Sequence, residues 1–558
     1  MFAIIGQYSH NCHKGAISIV TKKHKTSSFI ADAFDEVPEI GADWQRWYDI
    51  PYRILFWMVR RKKVFPSYLR SLALRGANNL MQFNELDRIK VWDKNDTMRN
   101  LDVPEDEHVT IPSIMIIELF TPNQAESLSK SIKKNGWNKK SRVFPETNTE
   151  RLAEARTKNG LSWWILANVV SKNFSGMVSD MTRSDLPEGI QWINMRAVQI
   201  GTGLTAVTAR FTFDKDYAEH VDSVWHSKHE PRMEYVAGRP RPLDRQFAGL
   251  KDTQTSRNEL HKVARIWMAD HLPGYFASHK EEQLSLDIIL TDRYDPTSKS
   301  VKPLDRGLSD AYRALGVDTH DFNTIIAPQL PDMLLAQAGE RSNRNINRNR
   351  TWGLIGNREK LQKSTDNFKY YGGDPEWAVS SIVGDRLGTT LILLAVSELL
   401  SIIEVQYAKL RDQASRQHSR FKLRSIDRLG SIVLDSSLTL ASIKHEVTNF
   451  KESGWWFKED ATFEVAVAPY FKDKTKNKKS RLLFDDILKR QDKTLERLTA
   501  IDRDYKDILV TVSTLKSTSN STKISRNAFW VALISLVVAG IALVIAYLSY
   551  LAQTVPPQ

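Results

Sequence analysis

Five side chains that bind metals or move protons fall between positions 220 and 230: His220, Asp222, His226, His229 and Glu230. Read as one helix over 216–229, the segment sets Asp222, His226 and His229 at i, i+4 and i+7 on a single face, a three-ligand arrangement for a divalent metal. The chemistry implied is metal-dependent hydrolysis. No HExxH pattern accompanies the set, and a polar helix face that carries histidines only for solvation is the competing reading. Elsewhere His10, Cys12 and His13 crowd one turn without the paired spacing of a zinc site. A His-Asp dipeptide at His320 and Asp321 is too common to carry phosphohydrolase chemistry. Gly201 and Gly203 resemble part of a dinucleotide fingerprint, but a second β-like run, 204–213, follows them where a helix is needed, so they are read as the turn of a β-hairpin. No nucleophile elbow and no Walker loop occurs. The sequence therefore names no reaction and no cofactor.

The elements that would position these residues read as α+β. Apolar runs at 2–5 and 16–20 suggest an opening hairpin. Asp49, Ile50 and Pro51 start a helix through Tyr52, Leu55, Phe56 and Val59 that ends on Arg60, Arg61, Lys62 and Lys63. With Trp44, Trp47, Trp57, Phe65 and Tyr68 around it, this segment suits anionic headgroups or nucleic acid. An ordinary core helix with a solvated basic end is the preferred reading, because buried aromatics dominate cores. Residues 113–120 form a nearly continuous apolar strand, and Thr121 and Pro122 then open a helix that stops near Gly136. Ser256 and Glu259 make a capping box, and 284–290 is another strand. Residues 341–352 are mostly Asn and Arg, which reads as a solvated linker; Arg344 and Arg348 there are the residues that would hold phosphate.

Composition narrows the partners. The single cysteine, Cys12, excludes an intramolecular disulfide and fits a reducing compartment. A formal charge of +13 over 558 residues favours a negative neighbour, either anionic lipid or nucleic acid.

The clearest signal is residues 528–551, which contain no Asp, Glu, Lys, Arg or His. At about 1.5 Å per residue they extend about 36 Å, enough to cross a hydrocarbon core of about 30 Å. Ala528, Ala532, Ser535, Ala539, Ala542, Ala546 and Ser549 recur at steps of four and three, a small-residue stripe suited to helix association in lipid. Lys523 and Arg526 precede the span, which places the N-terminal bulk in the cytoplasm, and no secretory signal opens the chain, so the layout reads as tail-anchored. Residues 387–403 are nearly as apolar, but Glu398 in their middle marks a buried helix of a bundle. From Phe484 a heptad runs through Ile487, Gln491, Thr494, Leu498, Ile501, Tyr505, Ile508, Val512 and Leu515, which reads as a coiled-coil stalk. A long helix feeding a membrane helix is also found in CorA-type magnesium channels. That family has two spans and a Gly-Met-Asn signature, and this sequence has neither.

The fold class expected is a soluble α+β N-terminal region, then an α-helical and coiled-coil region, then one C-terminal transmembrane helix. The boundaries are 1–337 for the α+β body, 338–380 for the linker, 381–481 for a helical bundle with a strand-like interlude, 482–527 for stalk and hinge, 528–551 for the span and 552–558 for the tail. The function expected is a single-pass membrane protein that binds or senses a partner and forms homo-oligomers, as scaffold, receptor or membrane effector. The alternatives are a membrane-tethered metal-dependent hydrolase and a basic nucleic-acid-binding membrane protein.

Overall fold

The computed structural model describes residues 35–95, 101–140, 145–157, 162–176, 180–297, 306–317, 323–337, 350–364, 375–417, 423–452, 460–468, 480–521 and 526–553. The expected opening hairpin, the cluster at His10, Cys12 and His13, the dipeptide at His320 and Asp321, and both Arg344 and Arg348 lie outside them. The chain divides into two compact units: Met1–Pro104, Trp225–Thr253 and Leu304–Leu315, and Glu105–Val224, Gln254–Pro303 and Gly316–Gln558.

Among the described residues the strands are, in chain order, β1 (Val109–Phe120), β2 (Ser162–Ser171), β3 (Met181–Ser184), β4 (Ile190–Ile200), β5 (Leu204–Phe213), β6 (Arg232–Val236), β7 (Arg239–Leu243), β8 (Leu284–Thr291), β9 (Asn323–Ala327), β10 (Leu330–Gln337), β11 (Thr351–Asn357), β12 (Glu464–Val467) and β13 (Arg481–Leu482). All but β6 and β7 form one sheet of the second unit, ordered β13-β12-β9-β10-β11-β8-β1-β5-β4-β2-β3. This is mixed α/β content built on a large sheet. Strand β1 pairs antiparallel with both β5 and β8, and all three are buried along their whole length, polar residues such as Arg210 and Asp287 included. Pro112 has no N–H for the ladder, and the β1–β8 register shifts between Thr110 and Ser113 around it.

The glycine pair behaves as expected of a hairpin. β4 and β5 pair antiparallel, and Gly201 takes φ +56 at the turn between them. What approaches this turn is the buried carboxylate of Glu446, which accepts from Gly203 N at 2.7 Å and from Thr202 N at 3.2 Å. A carboxyl group does sit on the amides of this turn, and the chain supplies it.

Helix Gly388–Gln417 lies in the core against the sheet, with Leu391, Ile392, Ala395, Leu399 and Ile403 buried. Its polar stripe is paired: Glu398 with Arg350 at 3.2 Å, Glu404 with Arg497 at 2.7 Å, and Ser397 with Gln491 at 2.8 Å. These partners make a helix apolar enough to cross a membrane stable inside a protein core.

Two expectations change. The segment 338–380 is no simple linker: it contains β11, which pairs parallel with β8 inside the sheet, and helix Arg358–Ser364. The region 381–481 is likewise no separate bundle, since β12 pairs with β9 and extends the same sheet. The heptad is the second change. Helix Leu483–Ser521 is continuous, but Leu498 is buried in the unit's own core, and Ile501 and Tyr505 pack against it. Asp502 fixes this packing by accepting from Tyr407 Oη at 2.7 Å, from Ser437, and from Lys506 at 2.7 Å, so one carboxylate joins three helices. The periodicity is real; its partners are Gly388–Gln417 and Leu423–Glu452, because a three-helix bundle buries the same a/d stripe as a coiled coil. Ile508, Val512 and Leu515 lie on the helix with side chains outside the described set.

The first unit contains helices Asp49–Arg60 and Ser67–Asn95 and the β6–β7 hairpin. Asp49 sits inside the first helix and accepts from Gly41 N at 2.6 Å and Arg46 N at 3.1 Å, and its carboxyl stays below the usual range because these donors and the Arg46 guanidinium outweigh its burial. Helix Arg245–His271 starts eleven residues ahead of the Ser256 capping box, on Asp244, whose carboxylate accepts from Phe247 N at 2.8 Å.

Candidate functional site

The expected metal triplet does not share a helix face. Helix His220–Trp225 ends before His226, and the chain then extends towards Pro231 and β6. Trp225 holds that end by donating its indole N–H to Ala311 O at 2.9 Å. Asp222 belongs to the second unit, where it accepts from Val109 N at 2.8 Å and from His108 Nδ1 at 3.1 Å; this bond raises the His108 pKa. His226 and His229 belong to the first unit.

His229 has its own constellation. It is 7% exposed, its Nδ1 lies 3.1 Å from Asp252 Oδ2, and its Nε2 is buried with no hydrogen-bond partner among the described residues. Arg232 makes a two-pronged pair with the same carboxylate, at 2.7 Å through Nη1. Burial lifts the Asp252 carboxyl, but Arg232 and His229 more than offset this and hold it low. Asp252 thus fixes the ring through Nδ1 and leaves Nε2 turned the other way, the orientation that carboxylate-backed histidines use. It lines a cavity of about 210 Å³ with His226, Lys228 and Arg245. Lys228 and Arg245 line the same cavity, so its charge suits an anion.

The second unit has a larger cavity, about 420 Å³, within the range of small-ligand sites. Strand β2 forms one wall through Trp163, Trp164 and Leu166, and Lys139, Lys140 and Arg151 line the rest. Asn148 ties that wall to the chain opposite, donating to Leu166 O at 2.8 Å and to Trp137 O at 2.7 Å. Trp164 is 4% exposed and its indole N–H has no acceptor among the described residues. A buried donor left open costs about 1–3 kcal/mol, which an acceptor on a ligand would recover. Three cations and one acid, Asp180, line the cavity with the tryptophans, so it suits an anion with a flat apolar part.

No protein-family model, no curated protein and no solved structure matches the chain. The site must therefore be read from its own chemistry.

The remaining expected residues fall into three groups. Arg60, Arg61, Lys62 and Lys63 are exposed, with the Arg60 guanidinium 4.6 Å from the Phe56 ring centre and that of Arg61 4.9 Å from Trp57. Ser535, Ala539, Ala542 and Ala546 are exposed on helix Arg526–Gln553, while Ala528, Ala532 and Ser549 lie on that helix with side chains outside the described set. Trp164, Arg151 and Asp252 were not singled out by sequence. The adjacent tryptophans at 163 and 164, following the lysine pair at 139 and 140, are the signal that marks the larger cavity.

Proposed function

We propose that this chain is a membrane-tethered receptor or scaffold: helix Arg526–Gln553 crosses the bilayer once, and the body at the cytoplasmic face binds a small anionic ligand. The observation that carries the reading is a contrast between two apolar helices. Gly388–Lys409 is mostly buried and its polar stripe is paired, whereas positions 537–547 of the terminal helix are all exposed, Leu543 at 71% and Val538 at 58%. Water penalises such a surface by about 25 cal/mol per Å², and a bilayer does not. Lys523 and Arg526 favour a cytoplasmic body. The small stripe through Ala539 and Ala542 is the proposed contact between copies.

Full-length protein is expected to remain with membranes in alkaline carbonate, and a chain ending at Ser521 to be released. Release of the full chain would overturn the reading. Ala539→Leu with Ala542→Leu should lower cross-linked oligomer several-fold without affecting carbonate resistance; unchanged oligomer would remove the stripe from the proposal.

For the ligand, the 420 Å³ cavity supports a phosphate or carboxylate joined to a planar ring. AMP is a suitable calorimetric probe, with adenosine and inorganic phosphate as its halves. Trp164→Phe keeps the ring and removes the donor, so AMP affinity should fall about 5- to 10-fold, the worth of one hydrogen bond of about 1–1.5 kcal/mol. Absence of saturable AMP binding would leave this cavity without its assigned role. The metal-hydrolase alternative was argued from one helix over 216–229, and helix His220–Trp225 is shorter than that; metal analysis of the purified protein tests it.

A further inference from the structure

Two helices of the first unit, Asp49–Arg60 and Ser67–Asn95, are packed inside out. Ser67–Asn95 turns Ala73 and Ala77 inward, both at most 4% exposed, and a Cβ at Gly76 would meet Leu55 of Asp49–Arg60 at 2.9 Å. Small residues thus bring the helices together, while large apolar ones point away. Ile50, Ile54 and Trp57 follow one another at i, i+4 and i+7 on the first helix and are 47%, 55% and 49% exposed. Tyr68 and Leu72 continue the surface on the second helix at 70% and 66%. The sequence favoured an ordinary core helix here; of its own residues only Asp49 is buried.

Charge says what covers this face. Between residues 44 and 84 the chain has eight Arg or Lys and one acid, Asp49, which is buried on Arg46. Arg53, Arg60 and Arg61 lie over Trp44, Phe56 and Trp57 at 4.4–4.9 Å, so the cations rim the aromatic surface. A protein partner with a dry apolar patch would leave these cations facing it. A leaflet offers acyl boundary to the rings and phosphates to the rim in one plane. At 12 residues, about 18 Å, the first helix is too short to span about 30 Å and suits lying flat.

We propose that this helical pair is a second, peripheral membrane contact that rests on an anionic leaflet, with Trp47, Ile54, Trp57, Tyr68 and Leu72 at the headgroup boundary and Arg60 to Lys63 on lipid phosphates. It depends on the membrane reading only for proximity to a bilayer.

The test uses the full-length chain in vesicles of phosphatidylcholine alone or with 30% phosphatidylglycerol, both carrying brominated acyl chains. The signal of the helical pair is the quenching lost in Trp44→Phe/Trp47→Phe/Trp57→Phe, since the other tryptophans are common to both proteins. It should be at least about fivefold larger in anionic vesicles, the factor one surface cation contributes, and should fall with added salt or with Arg60→Gln/Arg61→Gln/Lys62→Gln/Lys63→Gln. These positions are exposed, so the variants should fold. Equal quenching in the two lipids would overturn the proposal. So would disulfide cross-linking of Trp57→Cys copies, which identifies a second copy as the cover, or full protection of the face in detergent without lipid, which identifies the chain's own N-terminal segment. Carbonate resistance of the same samples reports on the terminal helix alone, so failure of either contact is separately visible.

Discussion

Arg257→Met is expected to destabilise the second unit by about 3–5 kcal/mol, because it strands a carboxylate in the middle of the sheet. Asp287 is 0% exposed on β8 and accepts from Arg257 through both Nε and Nη2, the latter at 2.6 Å, and from His261 Nε2 at 3.0 Å. Arg257 itself is 3% exposed. The pair and the histidine hold the Asp287 carboxyl down at about 2 although burial alone would raise it. Removing the cation leaves a charge that has neither water nor a counter-ion. Arg257→Met combined with Asp287→Leu should cost clearly less than Arg257→Met alone, since no charge is then left buried. Denaturant midpoints of the detergent-solubilised chain measure both. A single variant costing under about 1 kcal/mol would mean that water reaches Asp287.

This cluster also shows why part of the fold was hidden in the sequence. The strand beside Asp287 is β11, with Gly353 directly opposite in register. A Cβ on Gly353 would lie 2.7 Å from Arg257 Nη2 and 3.0 Å from Asp287 Oδ1, so glycine is what admits the ion pair. The same glycine, with Gly356, dilutes the apolar pattern of β11, and the preceding run of Asn and Arg makes the stretch read as linker. Arg350, the last arginine of that run, instead closes the polar stripe of a core helix through Glu398. Strand β1, the β4–β5 hairpin and the buried nature of 388–403 were legible because each had a local signature: a long apolar run, turn glycines between two β-like runs, and an acid amid leucines. At Leu498, Ile501 and Tyr505 the heptad's partner lies in the same unit, for a physical reason. A heptad records that one stripe is buried but not whether the partner is another chain or the same one, and here Asp502 and Gln491 bond to helices of the same unit. The spacing argument for the metal triplet needed 216–229 to be one helix, and helix His220–Trp225 stops short of His226, where the Trp225 indole is anchored on Ala311. The exposed aromatic pair of helices was misweighted because aromatic content reports hydrophobicity without reporting which side faces out.

His261 gives the second large effect, in its pH dependence. It is 0% exposed, donates through Nε2 to Asp287, and its Nδ1 has no partner among the described residues. A second proton would create a buried charged N–H without an acceptor, and burial accordingly lowers its pKa to about 4. The unfolded imidazole titrates near 6.5, so between pH 6.5 and 4 the unfolded chain binds a proton that the folded one refuses. Stability is thus fully present above about 6.5 and is lost as pH falls to about 4, by about 3 kcal/mol at 1.36 kcal/mol per unit. Asp287 contributes little in this window, because its own loss begins only as pH falls through the ordinary carboxylate value near 3.8. Glu118 opposes it. Buried on β1, it is pushed up to about 7 by burial, despite accepting from Phe276 N at 2.8 Å, Leu119 N at 3.1 Å and Ala277 N at 3.2 Å. Its folded form therefore binds a proton between about pH 7 and 4.5 that the unfolded chain releases, which favours the folded state as pH falls. The intact protein should consequently show a shallow profile, while the variants separate the two terms. His261→Gln should gain stability relative to the intact chain as pH drops from 6.5 to 4, and Glu118→Gln should lose none of its own stability between pH 7 and 4.5 beyond the His261 loss it then leaves uncovered. Parallel denaturant midpoints at pH 7.5, 5.5 and 4.5 read both slopes, and profiles that superimpose for all three proteins would show that neither buried group is held in the protonation state its surroundings dictate.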